Sequence, residues 1–168
     1  VMIELTKGEN SSIDAALNGF LKSIEQEKNI RFMEEKVTYK TFFNNRMLIV
    51  YSIRNGIPYS LFQEIRETTP FTESDWASFL NLSTKSLQRY KQEKEHIFKP
   101  IHSEKIIELA EVTNLGREVF DTVEQFYLWL NSPSVALGNL TPLELLKDSY
   151  GKELVISELN RIDQGIFV

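Results

Sequence analysis

Apolar residues recur at helical spacing along most of the chain. Ile13, Ala16, Leu17, Phe20, Leu21 and Ile24 fall at i, i+3, i+4, i+7, i+8 and i+11, a single apolar stripe. Ser11 or Ser12 supplies an N-cap and Asp14 a first-turn charge, which predicts a helix starting there. Val37, Tyr39 and Phe43 suggest an extended stretch over Lys36–Phe43. Met47, Leu48, Ile49, Tyr51 and Ile53 predict a helix over about 45–55, with a buried strand as the alternative; Gly56 followed by Pro58 ends it.

From Pro58 a helix is expected to about Glu67, with Leu61, Phe62 and Ile65 inward and Pro58 near its first position. Thr72 then caps a short helix that buries Trp76, Ala77 and Leu80, and Ser83 caps a second whose Leu87 and Tyr90 are spaced i, i+3. Only Asn81 and Leu82 lie between them, with Leu82 pointing inward. Two short capped helices joined by so tight a turn make the DNA-binding helix-turn-helix, although tight helical hairpins also occur in bundles that bind nothing. Outward positions of the second helix carry Ser83, Thr84, Lys85, Ser86, Gln88, Arg89 and Lys91. Gln pairs bidentately with adenine, Arg or Lys with guanine, and Ser or Thr with phosphate. Glu93 and Glu95 follow closely and would repel DNA if they faced it.

Helix signals crowd the final third. Ser103 is expected to start a helix carrying Ile106, Ile107, Leu109, Ala110 and Val112 and ending near Leu115-Gly116. Asp121 with Glu124 reads as a capping box for a helix whose apolar positions are Phe126, Leu128, Trp129 and Leu130, stopped by Pro133. Thr141-Pro142-Leu143-Glu144 is a stronger box, with Pro at the first helical position and Gly151 expected to close its helix. Lys152–Asp163 makes the last helix, with Leu154, Val155, Leu159 and Ile162 apolar and Gly165 ending it. Ile166-Phe167-Val168 remain as an apolar tail, which either folds back on its own domain or plugs a pocket on another protein.

The chain has 168 residues, 42% hydrophobic and 26% charged, enough for one core or two small units. Charge divides it into three parts. Residues 1–50 carry seven basic and seven acidic groups, residues 51–101 seven and six, and residues 102–168 five and eleven. The whole deficit of −5 therefore sits in the last third, which points to a surface facing something other than phosphate, or simply to a solvated acidic face.

Absences remove much enzymology. With no cysteine there are no disulfides, thiolate metal sites or cysteine nucleophiles, which fits a reducing cytoplasm. Only His96 and His102 supply imidazoles, so a multi-histidine metal site is not expected. No two of the seven glycines stand closer than eleven residues, so neither glycine-rich phosphate cradle can be written. The longest uncharged run, Gln125–Leu143, is too polar to span a bilayer, and charges at Glu4, Lys7 and Glu9 argue against a signal peptide. A carboxylate pair at Glu144 and Asp148 is the nearest approach to a catalytic constellation, and it reads better as a helix-start charge and a solvated face.

Residues Phe126 through Val168 resemble the toxin-binding domain of Xre-type antitoxins from RES–Xre toxin–antitoxin modules, the MbcA/ParS family. Trp129-Leu130-Asn131 with Pro133, Ala136-Leu137-Gly138, Thr141-Pro142-Leu143-Glu144-Leu145-Leu146, Gly151, Arg161-Ile162 and Gly165-Ile166-Phe167-Val168 carry the likeness. The helix-turn-helix, its Gly56-Ile57-Pro58 lead-in and Ser103–Phe120 are similar to the family as well, so the likeness covers about residues 54–168. It implies an all-α protein: a helical or irregular segment over 1–50, an Xre-like helix-turn-helix over 51–101 and a toxin-binding and dimerisation domain over 102–168. The implied function is non-catalytic and needs no cofactor. Arg161, Ile162, Gly165, Ile166, Phe167 and Val168 would enter or flank the active-site cleft of a RES-domain toxin that depletes NAD. A homodimer would bind double-stranded promoter DNA for autorepression and form a higher assembly with the toxin, away from any membrane. The competing reading is a stand-alone dimeric helix-turn-helix transcription regulator with no toxin partner.

Overall fold

The computed structural model describes residues 2–32, 36–93 and 95–165, with side chains from residue 12 onward. Every described element is helical. Two compact units share the chain: one takes the segments up to Glu67 and Ser86–Glu104, the other Thr68–Lys85 and the segment from Lys105 onward.

In the first unit, helix α1 (Met2–Lys28) buries Ile13, Leu17, Phe20, Leu21 and Ile24, the stripe expected from the sequence. It begins well before Ser11 and Ser12, so neither serine caps it. Serine inside a helix costs only about half a kcal/mol relative to alanine, too little to end one whose apolar face is anchored. Asp14 serves a different N-terminus: its carboxylate accepts the Tyr39 N–H at 2.7 Å. The extended stretch expected at Lys36–Phe43 is instead partly helical, with α2 at Tyr39–Phe42. Thr38 and Thr41 form a reciprocal capping box there, and α2 turns Tyr39 and Phe42 into the core. The Asn18 side chain holds the preceding strand-like segment, donating to the Val37 carbonyl at 2.6 Å and accepting its N–H at 2.9 Å.

Helix α3 (Arg46–Asn55) resolves the helix-or-strand alternative in favour of helix, with Asn45 capping through the Leu48 N–H at 3.2 Å. It ends at Gly56, whose φ of +90° and position against Phe98 exclude a side chain: a Cβ would lie 2.5 Å from the Phe98 carbonyl oxygen. Helix α4 (Tyr59–Thr68) buries Leu61, Phe62 and Ile65. Its start is held by a short antiparallel bridge, with the Tyr59 N–H donating to the His96 carbonyl at 2.8 Å and the Phe98 N–H to the Ile57 carbonyl at 2.9 Å. Ser103 completes the tie: its buried hydroxyl accepts the Ile57 N–H at 2.8 Å and donates to the Phe98 carbonyl at 3.3 Å. Ser103 therefore does not start a helix. Helix α7 (Pro100–Val119) begins three residues earlier, at a proline whose missing N–H costs nothing in a first turn.

The second unit contains α5 (Glu73–Leu80), capped by Thr72, with Trp76, Ala77 and Leu80 buried. Asn81 takes the left-handed conformation, φ +52°, and the Leu82 N–H returns to the Ala77 carbonyl at 2.9 Å. This glycine-like stop releases the chain into α6 (Thr84–Gln92), which belongs to the first unit from Ser86 onward. From Lys105 onward α7 buries Ile106, Ile107, Leu109, Ala110 and Val112 and runs through Gly116, which was expected to end it. Gly116 is a packing residue: a Cβ there would meet the Phe126 ring at 2.4 Å.

Helix α8 (Val123–Leu130) takes Thr122 as its cap, through the Gln125 N–H at 3.1 Å, so the expected Asp121–Glu124 box lies one residue out of register. Phe126 and Leu130 are its buried pair, while Leu128 faces outward. A 3-10 turn (Val135–Leu137) leads to α9 (Pro142–Leu145), where Thr141 and Glu144 form the expected box. The Thr141 backbone N–H and then its hydroxyl hold the Glu144 carboxyl below its ordinary value. Gly151 does not close this helix. It lies inside α10 (Ser149–Asp163), where its N–H donates to the capping Asp148 carboxylate at 2.7 Å. A Cβ on Gly151 would sit 1.9 Å from the Leu145 carbonyl oxygen, so glycine is what lets α10 cross close to the end of α9. Lys105 reaches the Leu146 carbonyl at 2.9 Å and Lys152 pairs with Glu111 at 3.1 Å, tying this corner to α7.

Candidate DNA- and partner-binding surfaces

Helix α6 presents a polar surface. Leu87 alone of its residues is buried; Thr84, Lys85, Gln88, Arg89 and Lys91 are exposed, as is Ser83 just before it. Ser86 is half-buried, less outward than its position on the expected surface required. Three cationic side chains with Gln88 and Gln92 on an open helix suit phosphate and base edges. Glu93, at the end of this helix, is also exposed.

An aromatic stack holds the far end of α6. The Tyr90 ring lies on His96, with centroids 3.5 Å apart and planes 7° from parallel, and both meet Phe98 edge-on. Burial lowers the His96 pKa; nearby Glu93 opposes the shift, and His102 and Arg89 add to it. Burial, with Lys99 close by, lowers that of His102. Both rings are therefore biased towards the neutral form.

The terminal helix offers another chemistry. In α10, Val155 and Leu159 are fully buried, and Gly151 and Ile162 fall on the same side. The opposite side carries Tyr150, Leu154, Ser157 and Arg161 at i, i+4, i+7 and i+11. Tyr150 is 84% and Leu154 54% exposed, so the stripe begins apolar and ends cationic. Arg161 is half-buried and paired with Glu158 at 3.2 Å, and Ile162 is half-buried. Gly165 follows with φ +73°, its N–H bonded to the Ile162 carbonyl at 3.0 Å. Ile166, Phe167 and Val168 lie outside the described residues.

Leu154 and Leu128, named among the apolar positions of their helices, are exposed in the structure. Val135, 87% exposed, adds to the outward apolar residues between 128 and 154. Spacing could have found Tyr150 and Leu154, since they lie opposite Val155 and Leu159 on a helical wheel. Glu144 and Asp148 have local duties, each capping a helix start. Among the described residues no cluster of three acidic or histidine side chains could hold a metal ion, and no helix is long and apolar enough to cross a membrane.

Two family descriptions match the sequence. Residues 49–111 match the antitoxin Xre-like helix-turn-helix domain, and residues 115–165 match the antitoxin Xre/MbcA/ParS C-terminal toxin-binding domain. No curated protein matches the sequence at a significant level. Among solved structures, the fold is similar to a chain in the crystal structure of the M. tuberculosis MbcT–MbcA toxin–antitoxin complex. The TM-score is 0.53 at 22% identity, covering 64% of this chain and 94% of that one. Both matched domains are regulatory or protein-binding domains rather than catalytic ones.

Proposed function

We propose that this chain, which joins those two domains, is an Xre-type antitoxin that neutralises a RES-domain, NAD-depleting toxin and represses its own operon. The observation that carries the reading is the match of residues 115–165 to a toxin-binding domain, directly after a helix-turn-helix. The functional division follows residues 51–101 for DNA and 102–168 for toxin and self-association, and the protein works in the cytoplasm, where both partners are found.

Inhibition is steric. The tail Gly165, Ile166, Phe167 and Val168 enters the toxin cleft, and Arg161 and Ile162 line the approach. Burying one phenylalanine with its aliphatic neighbours contributes a few kcal/mol, on the order of 25 cal/mol per Å². Exposed Tyr150, Leu154 and Ser157 support this reading, because they lie on α10, the helix that leads through half-buried Arg161 to Gly165. On the DNA side, Lys85, Arg89 and Lys91 meet phosphate or guanine, Gln88 reads adenine, and Ser83, Thr84 and Ser86 contact the backbone. A homodimer presents two such helices to adjacent half-sites, and toxin joins it in a larger assembly.

The test uses purified toxin from the neighbouring gene. Its NAD consumption should stop on addition of the full chain and continue with a chain ending at Gln164. Equal inhibition by both would remove the tail from the mechanism; no inhibition by the full chain would remove the toxin assignment.

A further inference from the structure

A residue of the toxin-binding match holds the first helix of the helix-turn-helix. The Tyr127 hydroxyl, on α8, donates to Oδ2 of Asp75 at 3.0 Å, across 52 residues of sequence. Asp75 is the third residue of α5, and the same oxygen accepts the Thr72 N–H at 2.9 Å, closing the capping box that starts the helix. Asp75 in turn donates its own N–H to the Thr72 hydroxyl at 3.0 Å. Tyr127 therefore touches the one carboxylate on which the start of α5 depends. Its hydroxyl is kept protonated: burial first, then the bond to Asp75 and that group's charge raise its pKa, against a smaller opposing effect of Asn131. A second side chain from the same match acts just upstream, the Arg117 guanidinium donating to the Thr68 carbonyl at 3.4 Å. Thr68–Lys85 and the chain from Lys105 onward accordingly form one compact unit.

We infer that Tyr127 is a positioning residue for DNA binding, although it lies outside the helix-turn-helix match and need not touch DNA. When such a motif docks, its first helix crosses the phosphate backbone. α5 is only eight residues long, so losing the capping box at its start disturbs a large part of the helix that would cross the phosphate backbone. A carboxylate held by two donors also stays in its capping position instead of swinging towards phosphate. The inference rests on the DNA-binding half of the proposed function and not on the toxin half.

The experiment is Tyr127→Phe in the full chain, which removes one oxygen and keeps the ring. Affinity for a duplex from the chain's own promoter is measured over a range of salt, beside toxin affinity and the melting temperature. Operator affinity should fall about fivefold, the usual effect of one net hydrogen bond, with the salt slope and toxin affinity unchanged. Asp75→Asn should give a similar loss, and the double variant no more than either alone. A salt slope reduced by about one would make Tyr127 a phosphate contact and overturn the inference. So would operator affinity equal to wild type, or parallel losses of operator and toxin binding with a lowered melt. If the wild-type chain binds no promoter duplex, the DNA-binding reading itself fails and the inference with it, while toxin binding is read independently.

Discussion

Helices α6 and α10 are both amphipathic, yet they turn opposite chemistry outward. α6 buries only Leu87 and shows Lys85, Gln88, Arg89 and Lys91, while α10 buries Val155 and Leu159 and shows Tyr150 and Leu154. An exposed polar and cationic face gains from phosphate and base edges; an exposed apolar face gains only when something dry covers it. The difference is what the proposed function asks of one helical chain with two macromolecular partners. The charges run the same way: seven basic and six acidic groups lie in 51–101 with α6, and the acidic excess lies in 102–168 with α10.

The comparison breaks most sharply at α6. Lys85→Ala with Arg89→Ala should lower operator affinity about a hundredfold and the salt slope by about two, leaving toxin affinity intact. Fluorescence anisotropy across a salt series reads both quantities. Next in size is Gly151→Ala. Its Cβ would overlap the Leu145 carbonyl, so α10 must shift from α9, at a cost of about 2 to 3 kcal/mol. Thermal melts should fall by several degrees and toxin affinity with them. Tyr150→Ser with Leu154→Ser should weaken toxin binding about tenfold, with the melt and operator binding unchanged; isothermal titration measures it.

The smallest effect is a pH dependence carried by His96 and His102. His96 and His102 have pKa values below the unfolded value of about 6.5. In the window below that value the unfolded chain binds more protons, so the stability these groups contribute is complete above it and is lost as pH falls. Melts between pH 7.5 and 5.5 should decline, and His96→Phe, which keeps a ring against Tyr90, should flatten the decline.

Local signals were read well from sequence and non-local ones poorly. The boxes at Thr72 and Thr141 are complete within four residues, so their spacing suffices to locate α5 and α9. Gly116 and Gly151 look like helix stops because a glycine that ends a helix and one that admits a neighbour are the same letter. The neighbours that decide, Phe126 and Leu145, become visible only on packing. Thr38–Thr41 hides a capping box because its second partner is another threonine and not an acid. The polar face of α6 follows from its residue types, whereas the outward turn of Leu128 and the reach of Tyr127 to Asp75 depend on how distant helices meet.

The most direct test of a chain with two separable surfaces compares the full protein with a chain ending at Gln164, measuring toxin and promoter-duplex affinity on the same samples. Toxin affinity should collapse while promoter affinity and the melt stay as they were. Undiminished toxin binding, or loss of both affinities together, would contradict the account.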